Sequence, residues 1–160
     1  MYFRDRTQAG ELLASQLLPY RYEDTAVLAL SAGGVMVGEQ IARRLHCTLS
    51  LLVTSRISAP GDPSLVLGTI DQEGDFSYND LIPTGQMEEY LQDMRGFLEE
   101  EKLHRLYDMA SLLGAGGIVE RQHLLDRHVI LATDGVKNGM SFDAALHFLK
   151  PIHTTSIVAA

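Results

Sequence analysis

Apolar positions along the chain recur in two rhythms. From Thr7 to Leu18, Leu13 and Leu17 stand four apart on one face and Pro19 follows, which predicts a helix ending at the proline. Ala26 to Leu30 (AVLAL) is a short unbroken apolar run, the mark of a buried strand. Ser31-Ala32-Gly33-Gly34 then turns the chain into a helix over Val35 to Leu45, and Leu49 to Thr54 (LSLLVT) reads as a second buried strand. Strand, helix and strand in this order form a βαβ unit, which pairs its strands in parallel.

Ile57 to Ser64 (ISAPGDPS) is rich in turn residues, and Val66 to Ile70 and Asp75 to Tyr78 are candidate short strands. Pro83 and Gly85 open a long helical segment reaching about Leu113. Met87, Leu91, Met94 and Leu98 keep helical spacing there, and Leu106, Ala110 and Leu113 continue it. Gly96 is the expected bend, and Gly114 to Gly117 the stop. Glu99 to Glu101 reads as a solvated helix face. His128 to Thr133 (HVILAT) is a third buried strand, followed by a polar loop over Asp134 to Met140. Ser141 is the expected cap of a helix over Phe142 to Leu149, and Thr155 to Ala159 is a last strand. No repeat or low-complexity tract interrupts this order.

Composition narrows the class without changing the picture. The 160 residues suit one domain, and 46% hydrophobic with 21% charged residues is an ordinary globular balance. The net charge of −8 argues against nucleic acid and anionic membrane as general partners, since both call for a basic footprint. Cys47 is the single cysteine, so no internal disulfide forms, and its position after a helix suits a small packing residue. Charges at Arg4, Asp5, Arg6 and Glu11 exclude a signal-peptide core from the first residues, and no apolar run would span a bilayer. A cytoplasmic location is the expectation. The six histidines lack ligand pairing, Gly33-Gly34 with Gly38 misses dinucleotide spacing, and Ser31 lacks the glycines of a nucleophile elbow.

The candidate chemistry lies between Val129 and Ser141. An apolar strand runs into Asp134 and then a glycine-bearing loop and a helix start. In a parallel sheet such a loop stands at the carboxyl edge, where ligands bind. N–H groups from Asn138 to Ser141 converging at a helix start suit a phosphate, and Asp134 could accept from vicinal sugar hydroxyls or hold a magnesium-bound ligand. A plain strand-to-helix turn with a surface aspartate is the alternative.

This segment resembles the ribose-phosphate motif of type I phosphoribosyltransferases: an apolar strand, two acids, a short variable run, then glycine and a Ser/Thr-bearing helix start. More of the chain is similar to a bacterial branch of predicted phosphoribosyltransferases that opens with Phe-x-Asp-Arg. Here the opening is Phe3-Arg4-Asp5-Arg6, followed by Ala9-Gly10 and Leu12-Leu13-Ala14. Leu28 to Val35 is similar to the branch's Leu-Pro-Arg-Gly-Gly-Val loop, Ala59 to Pro63 to its Ala-Pro-Gly-Asn-Pro loop, and Asn79-Asp80 also fits.

The resemblance implies an α/β fold with a parallel, Rossmann-like sheet flanked by helices, and a small helical hood inserted at 71–126 within a single domain of 1–160. It implies phosphoribosyl pyrophosphate as ligand, with Mg2+ carried on it, and displacement of pyrophosphate from the ribose C1 by a nitrogenous base. By position, Asp134 faces the ribose hydroxyls, and Gly135, Val136, Lys137, Asn138, Gly139, Met140 and Ser141 surround the 5′-phosphate. Ser31, Ala32, Gly33 and Gly34 form the pyrophosphate loop, and Arg56 touches the pyrophosphate.

The chain departs from the pattern at several points. Thr133 stands where the first of the paired acids is expected, Ala32 where the branch carries arginine, Asn138 where threonine is usual, and Lys137 where a small residue is common. A hydroxyl can bond a sugar but brings no charge. A non-catalytic module sensing a nucleotide or phosphate on the same fold is therefore the second reading, and a chain that acts only with a partner the third. A homodimer is expected as well, through the last strand or through the Met and Leu stripe of the long helical segment.

Overall fold

The computed structural model of the chain describes residues 3–114, 117–136 and 139–160. They form two compact units: the residues up to Leu52 with Ile118–Ala160, and Val53–Gly117. The second unit overlaps the insertion expected at 71–126, but opens at Val53.

The first unit begins with α1 (Arg6–Gln16), a 3-10 turn (Leu18–Tyr20), β1 (Thr25–Ala29), α2 (Ala32–Leu45) and β2 (Thr48–Leu51). After the second unit come β6 (His128–Ala132), α5 (Met140–Leu149) and β7 (Ser156–Ala159). The four strands form one sheet in the order β2-β1-β6-β7, and every pairing is parallel. The expected parallel sheet flanked by helices is present.

Strand position explains strand composition. All five residues of β1 are buried, because it has neighbours on both edges and helices on both faces, so every position must be apolar or satisfied. On one face Ala26, Leu28, Val129 and Leu131 pack with Ala145, Phe148 and Leu149 of α5. On the other, Val27, Ile130 and Ala132 pack with Ala14 of α1 and with Val37, Ile41 and Leu45 of α2. The second strand was expected to be buried from Leu49 to Thr54. It covers Thr48–Leu51 and is only partly buried, since it lies at the sheet edge with β1 as its neighbour. β7 occupies the opposite edge, where Val158 and Ala160 still reach the core beneath α1 and α2.

Glycines set how closely these layers approach. A β-carbon on Gly10 would stand 2.7 Å from the Val37 carbonyl oxygen, so α1 and α2 touch backbone to backbone there. A β-carbon on Gly38 would meet Leu49 at 2.9 Å and Val27 at 3.1 Å, which fixes α2 down on the sheet.

The second unit contains β3 (Thr54–Ala59), β4 (Asp62–Asp71) and β5 (Phe76–Tyr78), paired antiparallel in that order, with α3 (Thr84–Asp93) and α4 (Arg95–Leu113). The turn-rich reading of Ile57 to Ser64 gives way to a hairpin. Gly61, at φ 82°, reverses the chain within two residues, and strand resumes on both sides through an irregular register at Ile57–Ala59. The region is therefore richer in strand than a helical hood. The long helical segment breaks at Met94, two residues before Gly96. Its apolar stripe does not remain open: Leu91, Met94, Leu98, Leu106 and Met109 cover Ile57, Leu67 and Ile70 of this sheet. Among the described residues no helix is long and apolar enough to cross a membrane.

Candidate functional site

The strand order reverses between β1 and β6. From β1 the chain crosses by α2 to β2 on one side; from β6 it crosses by α5 to β7 on the other. The two crossover helices lie on opposite faces, which opens a crevice at the carboxyl ends of these two central strands. Ser31 follows β1 and Asp134 follows β6, so both stand at that crevice.

They are joined there. Ser31 has extended backbone (φ −158°, ψ 165°) and caps α2: its Oγ accepts from the Gly34 N–H at 2.8 Å. The same hydroxyl donates to Asp134 Oδ1 at 2.9 Å. The other carboxylate oxygen, Oδ2, accepts from Arg6 Nε and lies 2.8 Å from Arg6 Nη2. Arg6 is the first residue of α1, whose start is fixed by Asp5 accepting from the Gln8 N–H. The Arg6 guanidinium, and after it the Ser31 hydroxyl, hold the Asp134 carboxyl below the ordinary aspartate range.

Glycine makes this arrangement possible. Gly33 lies directly against the Asp134 carboxylate, in space a β-carbon would fill. On Gly34 a β-carbon would stand 2.5 Å from the Ala132 carbonyl oxygen and 3.2 Å from Thr133 Cα. The first turn of α2 is thus seated on the end of β6, beside Asp134, with its Gly34 N–H taken by the Ser31 cap.

The residues expected to form a pyrophosphate loop, Ser31 to Gly34, are the cap and first turn of α2, and Ala32 in that turn is exposed. Thr133 turns its hydroxyl back to the Gly135 carbonyl oxygen at 3.1 Å, and its N–H donates to the Ala160 carbonyl oxygen at 3.2 Å. Gly135 and Val136 are exposed beyond it. Gly139, at φ 74°, precedes α5, and its carbonyl oxygen accepts from the Phe142 and Asp143 N–H groups. Ser141 is not the cap it was expected to be: α5 starts at Met140, so Ser141 lies inside its first turn. The left-handed conformation of Gly139 swings the chain into the helix two residues early. Lys137 and Asn138 lie outside the described residues. Arg56 belongs to the second unit, exposed on β3 opposite Thr69.

Arg6 was not among the residues expected at the site. Its signal was present in the opening Phe3-Arg4-Asp5-Arg6, which read as a family marker and not as a ligand residue. A cavity of ≈ 550 Å³ adjoins the pair, with Leu13, Val37 and Phe142 among its apolar walls and Arg6 and Asp134 also lining it.

Comparison with known proteins agrees with this fold. No family model matches the chain. A Mycobacterium tuberculosis protein named "Putative phosphoribosyl transferase Rv0571c" is 28% identical over 159 residues, as is its counterpart in a second strain, MT0597. The match takes in 99% of this chain, which spans 35% of the length of these curated relatives. The crystal structure of TT1426 from Thermus thermophilus superposes with a TM-score of 0.70 at 30% identity, covering 99% of this chain and 74% of that one. The chain is thus a relative of TT1426, and over nearly its whole length it is similar to a segment of longer proteins named as putative phosphoribosyl transferases.

Proposed function

We propose that the chain binds phosphoribosyl pyrophosphate at the crevice between β1 and β6 and transfers its phosphoribosyl group to a nitrogenous base. The observation that carries this reading is the meeting of Ser31, Gly33 and Asp134 at the point where the strand order reverses. Asp134 is ionised and can accept from the two ribose hydroxyls. The N-terminal turn of α2 is assigned to the pyrophosphate, and the start of α5 at Gly139 and Ser141 to the 5′-phosphate, since the positive end of a helix dipole favours an anion.

In the reaction so assigned, the bond from C1 to the pyrophosphate oxygen breaks and its electron pair leaves with the pyrophosphate. A ring nitrogen of the base supplies the pair for the new C1–N bond and gives up its proton. The state between carries positive charge on the ribose ring. The chain's part is to hold the two reactants in line and to meet the departing charge with fixed dipoles. Asp134 already takes Arg6 and Ser31 on its two oxygens and Thr133 turns its hydroxyl to Gly135, so magnesium would be carried by the ligand and not by a set of chain ligands. When bound, that ion neutralises charge on the pyrophosphate.

A second reading has specific support. Thr133 brings no charge where a second acid is expected, and Ala32 brings no cation to the first turn of α2. Both losses fall on turnover more than on binding, as in a module that senses a phosphoribosyl compound or nucleotide without converting it. Pyrophosphate release separates the two. Release by the native chain at an enzyme-like rate, on the order of 1 to 1,000 per second, supports the transferase. Binding without release, with release gained in the double variant Thr133→Asp with Ala32→Arg, supports the sensing module. Absence of binding contradicts both.

A further inference from the structure

We propose that Arg6 is a positioning residue of this site, holding the Asp134 carboxylate in the orientation in which it meets the vicinal hydroxyls of a ribose. The inference deepens the function proposed above and rests on it.

An aspartate at a strand end rotates about two side-chain bonds, and a carboxylate that must accept from two adjacent hydroxyls has to present its oxygens at a fixed angle. Here both oxygens are already committed on one side. Oδ2 accepts from Arg6 Nε and lies 2.8 Å from Nη2 of the same guanidinium, and Oδ1 accepts from the Ser31 hydroxyl at 2.9 Å. Gly33 closes a third side, because its missing β-carbon leaves only enough room for the carboxylate. These contacts crowd the carboxylate on three sides, and its side chain keeps 23% of its surface exposed for a ligand. A guanidinium is planar and delocalised, so it grips a carboxylate more rigidly than an ammonium does.

Arg6 is itself anchored. It starts α1, Asp5 caps that helix, and Gly10 one turn later presses the helix against α2. Since α2 begins at the Ser31 cap, both holders of Asp134 belong to one rigid pair of helices. Such a pair can set a carboxylate in advance of the ligand, which lowers the ordering that binding has to impose. Arg6 acts through Asp134, and that feature separates it from an ordinary phosphate-binding arginine.

The test uses the full chain and two measurements. The first is calorimetric titration with ribose 5-phosphate of the native chain, Arg6→Gln, Asp134→Asn and the double variant. Arg6→Gln is expected to weaken binding by about tenfold, the worth of a charge-assisted hydrogen bond. The double variant is expected to bind no more weakly than Asp134→Asn alone, and Arg6→Lys to recover part of the loss. The second is carbon-13 titration of the Asp134 carboxyl, expected to move up toward the ordinary aspartate range in Arg6→Gln. A merely structural arginine would change the melting temperature and leave ribose 5-phosphate binding where it was. Losses that add in the double variant would overturn the proposal, since Arg6 would then meet the ligand on its own. Unchanged binding and titration in Arg6→Gln would overturn it too. A native chain that does not bind ribose 5-phosphate fails the proposed function itself, a result distinct from both.

Discussion

Gly33 and Asp134 share the space in which a β-carbon would stand: the carboxylate of one rests on the bare Cα of the other. The contact joins the first turn of α2 to the loop after β6, and so binds the two halves of the crevice. Gly33→Ala must displace a side chain, whereas Gly34→Ala meets backbone, the Ala132 carbonyl oxygen at 2.5 Å. A carboxylate can move and a strand end cannot. We expect Gly33→Ala to cost little stability, because alanine also favours the helix it enters, but to detach Asp134 from Arg6 and Ser31. Gly34→Ala is expected to cost about 1 to 3 kcal/mol. In a chain of this size that lowers the melting temperature by about 2 to 4 °C per kcal/mol. Thermal melts of the two variants side by side check the order; equal losses would show that the two glycines are not distinguished in this way.

The Arg6–Asp134 pair makes stability depend on acid. The folded pKa of Asp134 lies below its unfolded value, chiefly through the Arg6 hydrogen bond and then through Ser31. The group therefore contributes stability that is fully present above the unfolded aspartate value of about 3.9 and is lost as pH falls through the lower folded value. Arg6 is 54% exposed, so the contribution is no more than about 1 kcal/mol. Melting curves from pH 7 down to pH 2 should show the native chain above Asp134→Asn at neutral pH and the gap closing in acid. A gap that widens in acid contradicts the assignment.

Gly10 links packing to the site. Gly10→Val pushes a branched side chain onto the Val37 carbonyl oxygen and Gln40 Cβ, 2.7 and 2.9 Å from where its β-carbon would stand. The helices must part, and Arg6 leaves with α1. We expect a loss of about 1 to 3 kcal/mol, together with an upward shift of the Asp134 titration. Stability lost with no change at Asp134 would mean that Arg6 does not depend on this contact.

Much of this was legible in the sequence because it is local. The apolar run Ala26 to Leu30 could only be a buried strand, and Ser31 with two glycines could only turn that strand into a helix. The end of β6 at Asp134 was legible for the same reason. What escaped depends on partners distant along the chain. Whether Leu49 lies in a central or an edge strand is set by strand order, which no window of sequence contains. The hairpin at Pro60-Gly61 was masked by Pro63, a residue that reads as loop but is tolerated where β4 begins. Ser141 lost the cap position to Gly139, whose left-handed backbone starts the helix early. Arg6 meets Asp134 across 128 positions, and nothing in the spacing of charges foretells that pairing.

Calorimetric titration of the full chain with phosphoribosyl pyrophosphate and magnesium tests the central claim, that Asp134 at the carboxyl end of β6 faces the ribose of a bound phosphoribosyl ligand. The expected result is saturable binding at one site, weakened by about tenfold or more in Asp134→Asn, the cost of removing a charged acceptor from a sugar hydroxyl. No binding by the native chain, or equal binding by Asp134→Asn, would contradict it.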